Sequence, residues 1–377
     1  MSKVYLPTSE QMDITLKNLS RIAGALGVKA DASSWGGIQQ IVKAGNAPKM
    51  FPIGTQFTIN HSIYGDMVFD VVAHDYFKSA TDENAHTMTL MSKNSIASVQ
   101  FDASEAFYYA DKELIAGTYN FTLESEYSSW AAGTYQFTLT KNLPKGGQLC
   151  ISGYANEALT ARQVRAYASQ TNTTIYDNAV ITVGNGGTSL GALGKELNHA
   201  HRVSYGSNNY KESAIRQFLN SSANPGSVWT PQTKFDRPPS WQTTLAGFAS
   251  GVEVDFLATV GKVVVPCAAN NTYESADSTI VKNTKYSVVD KFYLASQREL
   301  FGEGTETGAD DTLLFPYYEG ATNIDRMKVT NGVVTAWWTR SSYAPSSINV
   351  QTINADGSSN RNIAVDNIGC VPVCTIV

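Results

Sequence analysis

The chain has little charge for its length. Among 377 residues, 28 are Lys or Arg and 33 are Asp or Glu, for a net of -5. Nucleic-acid binders usually carry a basic patch, so no nucleic acid is expected as a partner. Histidine is scarce, at five residues. Cysteine is scarcer still: Cys150, Cys267, Cys370 and Cys374 show no C-x-x-C pairing, which argues against a zinc site of that kind. Cys370 and Cys374 fall in IGCVPVCTIV, which reads as one strand with both thiols on one side, acting as small buried hydrophobes. No uncharged apolar run reaches the roughly 20 residues of a membrane span, so no membrane insertion is expected. The start, MSKVYLPTSEQMD, lacks the apolar segment of a secretory signal. The expectation is a protein made in the cytoplasm and released, if at all, by lysis.

Aromatic residues are plentiful, with 19 Tyr, 15 Phe and 6 Trp, and 29 Gly imply many turns. Residues 8–28 read as an amphipathic helix whose Met12, Leu16, Leu19, Ala23 and Leu26 alternate at spacings of four and three, a short coiled-coil seam. A second helix is expected near SSWGGIQQIVKAG. From Phe51 the pattern turns to strands: FPIGTQFTI, DMVFDVVAHDYF and HTMTLMS are rich in β-branched and aromatic residues. SIASVQFDASEAFYYAD reads as a mixed or helical connection.

AGTYNFTL at 116–123 returns as AGTYQFTL at 132–139. Tyr, Phe and Leu alternate with Thr, Asn or Gln, the period of a half-buried strand. With QLCISGY and AVITVG the stretch 115–188 reads as an inserted β-sandwich. The Gly-rich run 184–194 reads as its hinge; no Lys-Ser/Thr follows the glycines as a phosphate loop requires. Further on, SNNYKESAIRQFLN (207–220) reads as a helix, VDFLATVGKVVVPC as a helix end and a strand, and KFYLASQRELFG as a strand running into a short helix.

Little points to chemistry. His199 and His201 in NHAHR could hold a metal from one face of a strand, but no third ligand lies nearby. The other histidines, His61, His74 and His86, read as satisfied polar groups, and Cys267 as structural. The carboxylates Glu303, Glu306, Asp310 and Asp311 do not follow the alternation of a calcium loop, so a solvated loop is expected. No Ser/His/Asp arrangement is recognisable, and no cofactor is expected.

The order of MVFDVVAHDY, TLMSKNSIASVQFD, SNNYKESAIRQFLNS, KFYLASQRELFG, LLFPYY, AWWTRSS and IGCVPVCTIV resembles bacterial and phage domains of C-type lectin fold related to the formylglycine-generating sulfatase modifiers. The motifs are Trp337-Trp338-Thr339-Arg340-Ser341, Asn349-Val350, the turn Asp356-Gly357 and the run Gly369-Cys370-Val371-Pro372. In layout the chain resembles the variable proteins of diversity-generating retroelements, phage tropism-determining tail proteins among them. The resemblance implies an α+β, C-type lectin-like fold. Residues 1–47 would form an N-terminal helical attachment segment, 48–114 the first part of the domain and 115–188 the inserted sandwich. Residues 189–377 would complete the domain, with a ligand-binding variable region over 336–377.

The tail then divides into framework and contacts. Trp337, Trp338, Ile348, Val350, Ile353, Ile363, Val365, Ile368, Val371 and Val373 read as framework. Between them lie Arg340, Ser342, Tyr343, Ser346, Ser347, Asn349, Gln351, Asn354, Ser358, Ser359, Asn360, Arg361, Asn362, Asp366 and Asn367. Tyr, Ser, Asn and Arg are favoured in antibody combining sites, where Tyr gives rigid contact area and Ser and Asn adapt their hydrogen bonds. The reading is a non-enzymatic receptor-binding protein of a phage tail, a homotrimer through its N-terminal helices, on the virion or extracellular after lysis. Its partner would be a host cell-surface protein or glycan. The rival readings are a bacterial surface adhesin or sugar lectin, and an enzyme of the sulfatase-modifier type, which needs a reactive cysteine pair or a metal.

Overall fold

The computed structural model of the chain describes residues 32–193, 199–269, 284–302 and 312–377. The expected coiled-coil seam and the acidic run 303–311 lie outside the described residues.

Helix α1 (Trp35–Lys43) is capped by Ser34, whose hydroxyl accepts from Gly37 N at 3.2 Å, and buries Ile38, Ile41 and Val42 along one stripe. A short helix α2 (Ala47–Met50) leads into the strands β1 (Gln56–His61), β2 (Gly65–His74), β3 (Met88–Ser92) and β4 (Ser98–Gln100). The segment expected as a mixed or helical connection carries only β4 and β5 (Tyr108–Tyr109). A lone apolar alternation there did not amount to a helical stripe.

Next come β6 (Gly117–Leu123), β7 (Gly133–Leu139), β8 (Gln148–Ile151), β9 (Gln163–Tyr167), β10 (Asp177–Val180), β11 (Thr182–Val183) and β12 (Thr188–Leu193). Helices α3 (His199–Tyr205), α4 (Ala214–Asn220) and α5 (Val254–Thr259) precede β13 (Val263–Ala269), β14 (Thr284–Asp290), β15 (Phe292–Tyr293) and helix α6 (Gln297–Phe301). The chain closes with β16 (Lys328–Thr330), β17 (Val333–Thr335), β18 (Trp337–Ser342), β19 (Asn349–Ile353), β20 (Ser359–Ile363), β21 (Asn367–Gly369) and β22 (Val373–Ile376).

These elements make a mixed α+β protein. In the body, one sheet runs β1-β2-β3-β22-β15 and a second runs β20-β19-β18-β21-β4. The first places the last strand beside β3, so the end of the chain is a central element. Both β3 and β22 are buried at every position, as strands covered on two faces must be, while β1 alternates. IGCVPVCTIV is not one strand. It divides into β21 and β22, which belong to different sheets, at Pro372. Proline has no N–H to give a ladder; its carbonyl accepts from Ser92 N at 2.9 Å. Cys370 and Cys374, on either side, are buried and free.

The sandwich is present as two four-stranded sheets, β10-β9-β8-β5 and β11-β7-β6-β12. The two repeat copies pair antiparallel, Tyr119 opposite Phe137 and Phe121 opposite Tyr135. In both, the Tyr hydroxyl donates to the carbonyl four residues back: Tyr119 to Ile115 at 2.7 Å and Tyr135 to Ala131 at 2.6 Å. The repeat is therefore a repeated strand with its own tether.

The boundaries 115–188 are too narrow. One apolar core takes in Phe107 and Leu114 before that span and Leu193 and Val203 after it, together with Phe121, Phe137, Leu149 and Val164 within it. The Gly-rich run is also more than a hinge, because β12 lies parallel to β6 and closes the sheet. Gly187 takes a φ of 75°, and a Cβ there would stand 1.8 Å from the Thr118 carbonyl oxygen. Glycine is what lets the two backbones meet.

A polar edge strand on a buried frame

The segment WWTRSS, strand β18, is buried at all six positions. Each side chain has a partner. Trp337 Nε1 donates to Arg326 O at 3.0 Å and Trp338 Nε1 to Val99 O at 2.8 Å. Thr339 donates to Gln351 O at 2.7 Å, Ser341 Oγ accepts from Gln297 N at 2.9 Å, and Ser342 donates to Ala268 O at 3.0 Å. Arg340 pairs with Glu299, with neither side chain exposed. Adjacent residues point to opposite faces, so this strand is gripped from both sides, and both tryptophans are framework.

Four proposed contacts therefore belong to the frame. Arg340, Ser342, Ser347 and Gln351 are all 3% exposed or less. Arg340 and Ser342 are spent on the bonds just described. Gln351 lies in β19, the inner neighbour of β20, and Ser347 O accepts from Asn208 N at 2.9 Å.

Outside β19 lies β20, the edge of its sheet, with Ser359, Asn360 and Arg361 exposed in succession. Asn367 is exposed as well, while Tyr343, Ser346, Asn349, Asn354, Ser358, Asn362 and Asp366 are half-buried. The Arg361 guanidinium lies 4.2 Å from the centre of the Tyr343 ring, within cation–π range. Asn360 donates to Asn354 Oδ1 at 2.8 Å, and Asn362 donates to Asp366 Oδ2 at 3.3 Å. Eleven of the fifteen proposed contacts are thus exposed or half-buried, seven of them in β20 and its flanking turns and the others between β18 and the start of β19 or at the start of β21. The Asp356-Gly357 turn that leads into β20 is tied by Asp356, which accepts from Ser358 N at 2.9 Å.

His199 and His201 lie on helix α3 rather than a strand, because HAHRVSY spaces Ala200 and Val203 three residues apart and packs both into the sandwich core. The His201 ring stacks on Tyr127 with centroids 3.6 Å apart, and burial holds it far down, at about 3. His61 is a satisfied core group: Nε2 donates to Phe248 O at 2.9 Å and Nδ1 accepts from Ile63 N and Tyr64 N. Burial pushes the Cys150 thiol up to about 11, and those of Cys370 and Cys374 higher. Among the described residues no three His, Cys, Asp or Glu side chains are grouped to hold a metal ion.

One ionisable group escaped the reading of the sequence. Where sandwich meets body, Arg202 of α3 bonds Glu105 at 2.6 Å and Glu212 at 3.0 Å. Burial, opposed by Arg202, lifts the Glu105 carboxyl to about 7, and burial also raises Asp102 beside it. The three acids are scattered over 111 residues of sequence with no shared motif, and only folding brings them together.

The chain belongs to the family described as Domain of unknown function (DUF6273), which matches residues 170–377. The matched span begins within the sandwich and takes in β10 to β22, the polar edge strand included. No curated protein and no solved structure matches the chain.

Proposed function

We propose that this chain is a non-enzymatic ligand-binding protein that presents β20 and its flanking turns to a host cell-surface protein or glycan. In this reading the body is a C-type lectin-like fold at a phage tail tip, and the N-terminal segment joins sister chains as a homotrimer. The observation that carries the reading is the contrast between neighbouring strands. Ser359, Asn360 and Arg361 are exposed in a row, while every residue of β19 from Val350 to Ile353 is buried. Polar residues at an edge can be exchanged without touching the core, and a frame bonded on both faces keeps them in place.

The thiols favour this reading over the sulfatase-modifier type. A nucleophilic cysteine needs thiolate character and access, and Cys370 and Cys374 have neither. Binding of the full chain to surface extracts of candidate host bacteria tests the reading, with the triple variant Tyr343→Ala, Asn360→Ala, Arg361→Ala as control. Saturable binding that the triple variant loses, at an unchanged melting temperature, supports it. Equal binding by both proteins overturns it. Sequencing the flanking DNA addresses the retroelement separately: a reverse transcriptase gene and a near-copy of the 3′ end differing at adenines are expected.

A further inference from the structure

A second site lies on the other face of the junction between sandwich and body. A cleft of about 400 Å³ opens between the sandwich and the body, within the size range of small-molecule sites. Strand β9 sends Val164 and Ala166 into the sandwich core and turns Gln163, Arg165 and Tyr167 outward. The outward side of that sheet forms one wall, with Ser152. Across from it stand Ser104, Arg237 and Ser240 of the body.

The charge in this cleft is one-sided. Two guanidiniums, Arg165 and Arg237, line it, and no Asp or Glu is among its lining residues. Arg237 is fixed by neutral acceptors: Nη1 donates to Gln148 Oε1 at 2.9 Å and to Ser169 O and Gln170 O, both at 3.2 Å, while Nη2 donates to Asn172 O at 2.6 Å. Its guanidinium also lies 3.6 Å from the centre of the Tyr167 ring. None of these partners cancels the charge. The Nε–H of Arg165 is buried and has no acceptor among the described residues. A buried charged donor left unmade is costly, and such a group calls for an explanation.

We propose that this cleft binds an acidic monosaccharide. The sugar's exocyclic carboxylate meets the Arg165 guanidinium, with Arg237 supplying a second, fixed positive charge. Hydroxyls of Ser104, Ser152, Ser240 and Thr173 and the amide of Gln100 then face the sugar's hydroxyl groups. A bare anion would leave most of this polar wall unused, and a neutral sugar would leave both charges unmet. Gln100 ties the cleft to the C-terminal turns, since its Nε2 donates to Val365 O at 2.8 Å and its Oε1 accepts from Ser240 N at 2.7 Å. The site thus borders the C-terminal turns, where Asn367 pairs with Gln100, but does not depend on the role of the β20 margin.

Titration of the full chain with glucuronate, glucose and acetate, followed by NMR and calorimetry, tests the proposal. Glucuronate is expected to bind saturably, at least about tenfold tighter than glucose or acetate, the factor of a single weak charge-assisted hydrogen bond. Arg165→Gln should weaken glucuronate by about the same factor, and Thr243→Trp, placed at an exposed rim position of the cleft, should block it. Tyr343→Ala should leave it unchanged. If Arg165→Gln does not fold, Thr243→Trp decides alone. Glucuronate binding no better than glucose, or undiminished in a folded cleft variant, overturns the proposal. Acetate binding as tightly as glucuronate reduces the cleft to a simple anion site and overturns the saccharide assignment.

Discussion

Arg340 and Glu299 meet as a bidentate ion pair in which neither side chain has any exposure. Two further donors of Arg340 are used as well, Nε on Pro266 O at 3.0 Å and Nη1 on Leu294 O at 2.7 Å. Glu299 also accepts from Ser296 N at 2.8 Å, closing the capping box of α6. One pair therefore locks β18 to α6 and β13 beneath the polar margin. Removing one partner of such a pair leaves a buried, uncompensated charge and costs about 3–5 kcal/mol.

Arg340→Met should lower stability by about that amount in urea unfolding, and Arg340→Lys should not restore it, because an ammonium cannot reproduce the planar fork. Adding Glu299→Met to Arg340→Met should recover part of the loss. A single-variant cost under about 1 kcal/mol, the scale of an exposed pair, would contradict a locking role.

The same pair shows why the sequence was only half legible. The strands, the Trp-Trp anchor and the repeat declared themselves through period and aromatic content, which are local properties. Arg340 looked like surface because arginine mostly is, and its partner stands 41 residues upstream. Ser342 and Gln351 misled in the same way. Hydrophilic composition records what a side chain could do in water, whereas burial depends on whether a distant carbonyl or carboxylate meets it. The sandwich ends were misplaced because β5 is two residues long and β12 is written in glycine and small residues, so neither carries a strand pattern. HAHR was short enough to fit either period, and helix α3 was missed.

The sandwich has an apolar core of its own, running from Phe107 to Val203. A fragment spanning residues 104–206 should unfold cooperatively by circular dichroism, while one limited to 115–188 should not. The shorter piece loses β5, most of β12 and α3, and with them Phe107, Leu193 and Val203. A cooperative transition in the shorter fragment would show those residues to be dispensable.

Gly357 is expected to tolerate no side chain. Its φ is 80°, and a Cβ would stand 1.7 Å from the Asn323 carbonyl oxygen. Gly357→Ala combines backbone strain with a clash against a fixed main-chain atom, for a loss on the order of 2 kcal/mol. Because this turn feeds β20, hydrogen exchange at 359–363 should quicken as well. Wild-type stability in this variant would mean that the turn and the 323 segment can separate freely.

The junction carboxyl Glu105 predicts a pH dependence. Its folded value, about 7, lies above its ordinary 4.5, burial being the largest cause. The folded protein therefore holds a proton that the unfolded chain releases. Its contribution is fully present below about pH 4.5 and lost as pH rises through about 7, at roughly 1.4 kcal/mol per pKa unit. His61, His74 and His201, all held low by burial, act in the opposite sense below their ordinary value of 6.5. Comparing wild type with Glu105→Gln cancels them. The stability difference between the two proteins should move against the wild type between about pH 5 and 8; a difference flat across that range would rule out the titration of Glu105.

The polar margin makes the sharpest demand, because its residues must separate from the frame in a single experiment. Trp337 and Trp338 are both 0% exposed, and replacing either with Ala should cost about 3–5 kcal/mol. Asn360 and Arg361 are exposed on an edge strand, so their Ala variants should stay within about 0.5 kcal/mol of wild type, whereas Ser359 also accepts from the buried Gln297 side chain. Tyr343 is half-buried under the Arg361 guanidinium, and the two should couple weakly, by about 0.5–1 kcal/mol in a double-mutant cycle. If this margin binds, affinity should concentrate in that pair, since binding energy gathers in aromatic and arginine anchors. Asn360 and Asn354, already bonded to each other, should matter less. Thermal melts and binding curves on the same set of variants give the answer. Loss of several kcal/mol of stability at Asn360 or Arg361 would make β20 part of the core. Unchanged stability together with unchanged binding at Tyr343 and Arg361 would leave β20 an ordinary hydrophilic edge and move the binding surface elsewhere.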